Sequence, residues 1–228
     1  MDWHRWHKKY DIPDSPMAQR LKIVQQHIRV ALDKCPPGPL RIVSVCAGQG
    51  RDLLDVLAEH PRGSAAQALL IDLEERNTSR IKKRALSLGL SQMHTVTGDA
   101  SLIDHYDGMA PAHLVLLCGL FGNITDEDIQ NTVSTCSQLC RTDGAVIWTR
   151  NRNVPDKVPL VCEWFEAHDF EREWLSDDDP HYGVGTHRFR GCPHPIVYGT
   201  RMFTFVGSEI LSRQHSISGS ENEKSLQY

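Results

Sequence analysis

The 228-residue sequence has no apolar run approaching the roughly 18 residues that a membrane span requires, so no membrane partner is expected. It has no excess of positive charge. Twenty-five Lys and Arg stand against 29 Asp and Glu, a formal net charge of −4. Such weak acidity gives no long-range field for nucleic acid, and no nucleic-acid partner is expected. The seven cysteines show no C-x-x-C spacing and the twelve histidines no H-x-x-x-H spacing. Cys136 and Cys140 instead suit one face of a helix, so no metal site is expected. The start, MDWHRWHKKYDIPD, is polar and aromatic rather than leader-like, and the odd cysteine count reads as reduced core thiols of a cytoplasmic protein. No internal repeat of 20–50 residues is present.

What remains is an ordinary globular composition, 40% hydrophobic and 24% charged. A chain of this length buries roughly 70–75% of its unfolded surface and needs no disulfide or metal staples. Ser15 and Pro16 suit the start of a helix, with Leu21, Val24, Ile28, Ala31 and Leu32 at helical spacing. The PPGP run at 36–39 stops it. Short apolar runs then alternate with amphipathic ones. Strands are expected at 40–46, 66–72, 93–98, 112–118 and 144–150, and helices at 51–60, 76–88 and 126–140. Near-continuous apolar strands between helices imply a mainly parallel sheet covered on both faces, a Rossmann-like α/β fold. A helix over 155–167 leads to the alternating strand FEREWL (170–175), and RMFTFV (201–206) reads as the last strand. Between them, residues 176–200 are rich in Gly, Pro and His and read as a loop insert. The expected organisation is a lid-like segment over 1–39, a main domain over 40–207, and a polar, disordered tail over 208–228.

The segment IVSVCAGQGRDLLDVL (42–57) runs from a strand through a glycine turn into a helix. Gly48 and Gly50 permit a tight turn and close approach of a ligand. Asp72 ends the second strand, where a carboxylate can accept hydrogen bonds from both hydroxyls of a ribose. The dinucleotide fingerprint G-x-G-x-x-G/A fails at Leu53, which argues against a pyrophosphate-bearing cofactor.

These residues resemble class I S-adenosylmethionine-dependent methyltransferases. The glycine turn is similar to that family's first motif, Asp72 in LLIDLEERN to its ribose-binding acid, and GDA (98–100) to the motif near the adenine amino group. LVLLCGLFGNI (114–124) is similar to its fourth strand and the loop bordering methyl transfer. The signatures CAGQGRD and LCGLFGNI look most like those of one bacterial group within it. The resemblance implies a seven-stranded sheet whose last strand is antiparallel, and S-adenosyl-L-methionine as cofactor. It places that cofactor against Ala47, Gly48, Gln49, Gly50, Asp72, Leu73, Gly98, Asp99, Ala100, Cys118 and Gly119, with Tyr10 in the lid. Ser44 and Cys46 depart from the family's usual acid and first glycine.

A small-molecule methyl acceptor is expected, on a monomer or homodimer. His187, then His7 and His181, are the candidate general bases, chosen for loop position and a near-neutral pKa. Trp3, Trp6 and Tyr10 suit an aromatic lid over a cationic sulfonium. Phe121, Asn123, Arg150 and Tyr182 are expected to line the acceptor pocket. The alternatives are a nicotinamide-dependent oxidoreductase and a non-catalytic S-adenosylmethionine-binding sensor.

Overall fold

A computed structural model describes residues 8–176 and 181–211. Trp3, Trp6 and His7 therefore lie outside the described residues. The first long helix, α1 (Pro16–Lys34), is opened by Ser15, whose hydroxyl accepts the Ala18 N–H at 3.1 Å, and by Pro16 in the first turn. Three helices follow at intervals along the chain: α2 (Leu54–Glu59), α3 (Glu75–Ser87) and α4 (Asp126–Leu139). Helix α4 is capped by the Thr125 hydroxyl and carries Asp126, Glu127 and Asp128 in its first turn, where the helix dipole favours anions. Helix α5 (Val158–Glu166) follows.

Seven strands form one sheet: β1 (Leu40–Ser44), β2 (Ala66–Asp72), β3 (Met93–Thr97), β4 (Ala112–Leu117), β5 (Cys140–Asn151), β6 (Phe170–Leu175) and β7 (Tyr182–Phe189). Their spatial order is β3-β2-β1-β4-β5-β7-β6. The first five run parallel, and β7 inserts antiparallel between β5 and β6. Apolar side chains alternate between two cores. Val43, Ile71, Val115 and Trp148 pack with α4 and α5, whereas Ile42, Leu70, Leu116 and Ile147 pack with α1, α2 and α3. Both faces are thus covered, as continuous apolar strands require. Among the described residues no helix is long and apolar enough to cross a membrane.

The last strand differs from expectation. RMFTFV is not a sheet strand: Arg201 makes only an isolated bridge to Leu102, and residues 202–207 run as an irregular strap. Strand β7 instead comes from the stretch expected as a loop insert, and all but its first residue are buried. Its glycines serve packing rather than turning. A Cβ on Gly185 would stand 2.4 Å from the Trp148 ring, so only glycine lets β7 pass over that indole.

Strand order reverses between β1 and β4, whose carboxyl ends therefore open a crevice, the usual ligand position in open α/β sheets.

Candidate functional site

A cavity occupies that crevice. It is lined by Ala47, Gly48 and Gln49 after β1, Asp72, Leu73 and Glu74 after β2, Asp99 and Ala100 after β3, and Cys118 and Gly119 after β4. Tyr10, Arg20, Leu21 and Val24 close one side, and Phe203 and Phe205 another. Cys46, Arg51, Asp52 and Asn77 complete the wall.

The turn after β1 is pinned to its neighbours. Val45 donates its N–H to the Leu116 carbonyl at 3.0 Å and Ala47 to that of Ile71 at 2.8 Å. Cys46 has φ +53°, a left-handed conformation uncommon for a side-chain-bearing residue, and Gly50 has φ +65°. A Cβ on Gly50 would meet side-chain atoms of Leu70, Ile81 and Leu54 at 3.1–3.3 Å, so strain and crowding act together there.

Asp72 is the hub. Its Oδ2 accepts the Gly48 N–H at 2.8 Å, while Oδ1 accepts the Glu74 N–H at 2.9 Å and the Asn77 amide at 3.0 Å. These contacts tie the first turn to the second. Burial raises the Asp72 pKa, and the three donors only partly oppose it. Asp99 behaves oppositely. Burial works to raise its pKa, but Ser101 and Arg201 outweigh that, and the net shift is downward. Its Oδ1 accepts from the Ser101 N–H and hydroxyl, and its Oδ2 pairs with Arg201 at 2.5 Å. Tyr10 is half-buried against Arg20, which donates to its hydroxyl, and desolvation pushes the phenol up to about 12.

Ten of the expected cofactor residues meet at this cavity. Gly50 and Gly98 do not line it: Gly50 faces a neighbouring groove beside Arg80, and Gly98 donates its N–H to the Asp72 carbonyl at 3.0 Å. The expected base His187 requires correction. It lies on β7, fully buried, with its ring stacked 4.7 Å from that of Phe165. Its Nδ1 accepts the Trp148 indole N–H at 3.0 Å, and burial, reinforced by Arg172, lowers its pKa to about 3. A neutral core ring outside the cavity takes no proton from a ligand. His181 is exposed and also outside it.

The expected acceptor-pocket residues are placed elsewhere too. Phe121 is fully buried among Trp148 and Phe165, and its carbonyl accepts from Arg150. Asn123 ties down the strap: its carbonyl accepts from Val206 and Gly207, and its side-chain oxygen from Ser208. Tyr182 stands behind Arg20, with the guanidinium 4.8 Å from its ring centroid. The residues that sequence reasoning missed are chiefly Arg20, Asp52, Asn77, Phe203 and Phe205. Asp52 had a signal, since it follows Gly50 by two positions. Arg20 had none, because a charged residue in an amphipathic helix reads as solvent-facing.

The seven-stranded sheet and the cavity at its reversal point define a Rossmann-like α/β protein with a ligand site at the strand ends. A family model described as "Putative methyltransferase" matches residues 16–176, and the chain belongs to that family. Among curated proteins, the chain is 24% identical to the uncharacterized protein YnbC of Escherichia coli (strain K12) over 139 residues. That match covers 60% of this chain but only 23% of the relative's length. Among solved structures, the fold is similar to that of a Burkholderia thailandensis 1,6-didemethyltoxoflavin-N1-methyltransferase with its acceptor and S-adenosylhomocysteine bound (TM-score 0.63, 16% identity, 83% of this chain and 84% of that one). It is also similar to magnesium protoporphyrin IX methyltransferase from Synechocystis PCC 6803 with S-adenosylmethionine bound (TM-score 0.61, 12% identity, 82% and 90%).

Proposed function

We propose that this chain is an S-adenosylmethionine-dependent methyltransferase acting on a small-molecule acceptor. The observation that carries the reading is the Asp72 carboxylate, buried at the cavity wall where the turns after β1 and β2 meet.

The donor set fits the cofactor. A carboxylate offers about four acceptor directions, and Gly48, Glu74 and Asn77 use three, so acceptor capacity remains for a ribose hydroxyl. Leu73 stands beside it, 73% exposed although apolar, and with Ala100 offers an apolar wall suited to a purine face. The missing third small residue of a dinucleotide site is Leu53, which is fully buried. That disfavours a nicotinamide cofactor. When bound, S-adenosylmethionine supplies an electrophilic methyl group, so the protein's task is positioning and exclusion of water. Cys118 and Gly119 follow β4 at the cavity, and Tyr10, Phe203 and Phe205 crowd it, which favours a small acceptor over a polymer.

Thermal denaturation with added ligands tests the reading, because a ligand that binds only the native state raises its melting temperature. S-adenosylhomocysteine should stabilise the protein in a saturable way and NADH and NADPH should not. Stabilisation by a nicotinamide nucleotide alone refutes the assignment.

A further inference from the structure

The groove on the outer side of the 49–51 turn takes no part in the nucleoside site, although Gln49 and Arg51 line both. It lies between α2 and α3 and holds about 550 Å³, within the range of ligand clefts. Its cations are Arg51, Arg80, Lys83 and Arg84, and its one carboxylate is Asp55. A second depression continues it along α3, past Ser79 to Arg76 and Glu75, and shares Arg80 and Lys83 with it. A chain with a net charge of −4 thus gathers positive charge along one track.

Two of these cations are already engaged. Arg84 donates from Nε and Nη2 to Asp55 Oδ1 at 3.2 and 2.7 Å, and Arg51 donates from Nη1 to Asp11 Oδ1 at 2.6 Å. Arg80 and Lys83 are exposed, and among the described residues neither has a carboxylate within ion-pair distance. Side chains on a helix meet those three and four positions away. Around Arg80 these are Arg76, Asn77, Lys83 and Arg84; around Lys83 they are Ser79, Arg80, Leu86 and Ser87. None is acidic, and like charges at that spacing oppose the helix. A solvated helix face normally interleaves the two signs. This face does not, so the counter-charge it suits comes from outside the chain.

We propose that this groove is a binding site for a phosphorylated ligand, with Arg80 and Lys83 supplying its charge and Arg84 a guanidinium held in place by Asp55. A phosphate group carries up to two charges and three acceptor oxygens, which matches three converging cations better than a carboxylate does. Arg76, one turn along α3 from Arg80, extends the track towards a second phosphoryl group. The phosphate of a soluble molecule and that of a lipid headgroup share this chemistry. The site is separate from the nucleoside cavity and does not depend on the cofactor reading.

Calorimetric titration with inorganic pyrophosphate at about 0.15 M salt tests it, because that salt screens exposed charges beyond roughly 8 Å. One saturable site per chain is expected, and it should persist in saturating S-adenosylhomocysteine. Arg80→Gln and Lys83→Gln should each weaken it about tenfold. Lys82→Gln removes the same charge from an adjacent residue that lines neither depression, and should leave affinity within about twofold. All three changes exchange helix formers at exposed positions, so the fold is kept. Co-sedimentation with phosphatidylcholine vesicles, with and without phosphatidic acid, separates the two sources. Retention only by phosphatidic acid, released by pyrophosphate, identifies a headgroup; pyrophosphate binding without retention identifies a soluble ligand. Binding of neither probe, displacement by S-adenosylhomocysteine, or equal effects of Lys82→Gln and Lys83→Gln overturns the site, and each leaves the cofactor reading intact.

Discussion

Replacing Asp52 by Asn should stabilise the ligand-free protein, and by an amount that grows with pH. The carboxyl ionises near 3.8 in an unfolded chain and near 6 in the fold, because burial disfavours its charged form. The folded state therefore holds the proton more tightly. Between those values the unfolded state binds fewer protons, so stability falls as pH rises. Two units of displacement correspond to about 3 kcal/mol in total. Restricted to the interval from pH 4.5 to 7.5, the change is about 2 kcal/mol, since part of the loss has already occurred at the lower limit. The Asn variant lacks this titration. Its stability advantage over wild type should thus widen by about 2 kcal/mol across that interval, or roughly 4–8 °C in melting temperature for a chain of this size. Urea unfolding of both proteins through a pH series measures it, and other titrating groups cancel in the difference. A difference that stays constant with pH refutes the view that the fold holds the Asp52 carboxyl in its protonated form.

Other perturbations probe separate parts of the site. Asp72→Asn should weaken S-adenosylhomocysteine and methylthioadenosine alike, by roughly 10- to 100-fold in calorimetry, because both carry the ribose; undiminished affinity contradicts the ribose assignment. Gly50→Ala should cost about 1–3 kcal/mol in urea unfolding, since it combines a left-handed φ with contacts near 3.1 Å. His187→Phe should cost about 1–3 kcal/mol by leaving the Trp148 indole N–H without its acceptor, while ligand affinity stays within about twofold. His187 also sets an acid limit. Its pKa is lowered to about 3 in the fold, so its contribution is intact above the unfolded value of 6.5 and is lost progressively as pH falls towards 3. The Phe variant should show a flatter acid limb in the same unfolding series.

The parallel half of the fold was legible because its strands are buried on both faces. AQALLID and AHLVLL have no polar alternation, and a six- or seven-residue apolar run between helical patterns has few other readings. Strand β7 was not legible. YGVGTHRF carries two glycines and a histidine, the marks of a loop, and its reason for them is the Trp148 indole 37 positions before Gly185 in the chain. His187 failed for the same cause: a histidine buried by a partner on another strand looks, in sequence, like one exposed on a loop. RMFTFV failed in the opposite sense, since Met202 and Phe203 are buried by packing without any strand pairing.

Within the site, the residues at successive strand ends were readable because parallel topology brings those ends together. Asp72, Asp99 and Cys118 are far apart in sequence yet line one cavity. Arg20 was hidden because the helical pattern assigns charge to the outer face, whereas here two tyrosine rings cover the guanidinium. Asn123 and Arg150 were read as pocket residues from their places beyond strand ends, but backbone carbonyls and N–H groups of the 119–124 loop and the strap use them instead.

Calorimetric titration of the wild-type protein with S-adenosylhomocysteine at pH 7.5 tests the central claim most directly. The account predicts saturable binding at one site per chain in the micromolar range. No saturable binding up to millimolar ligand contradicts it.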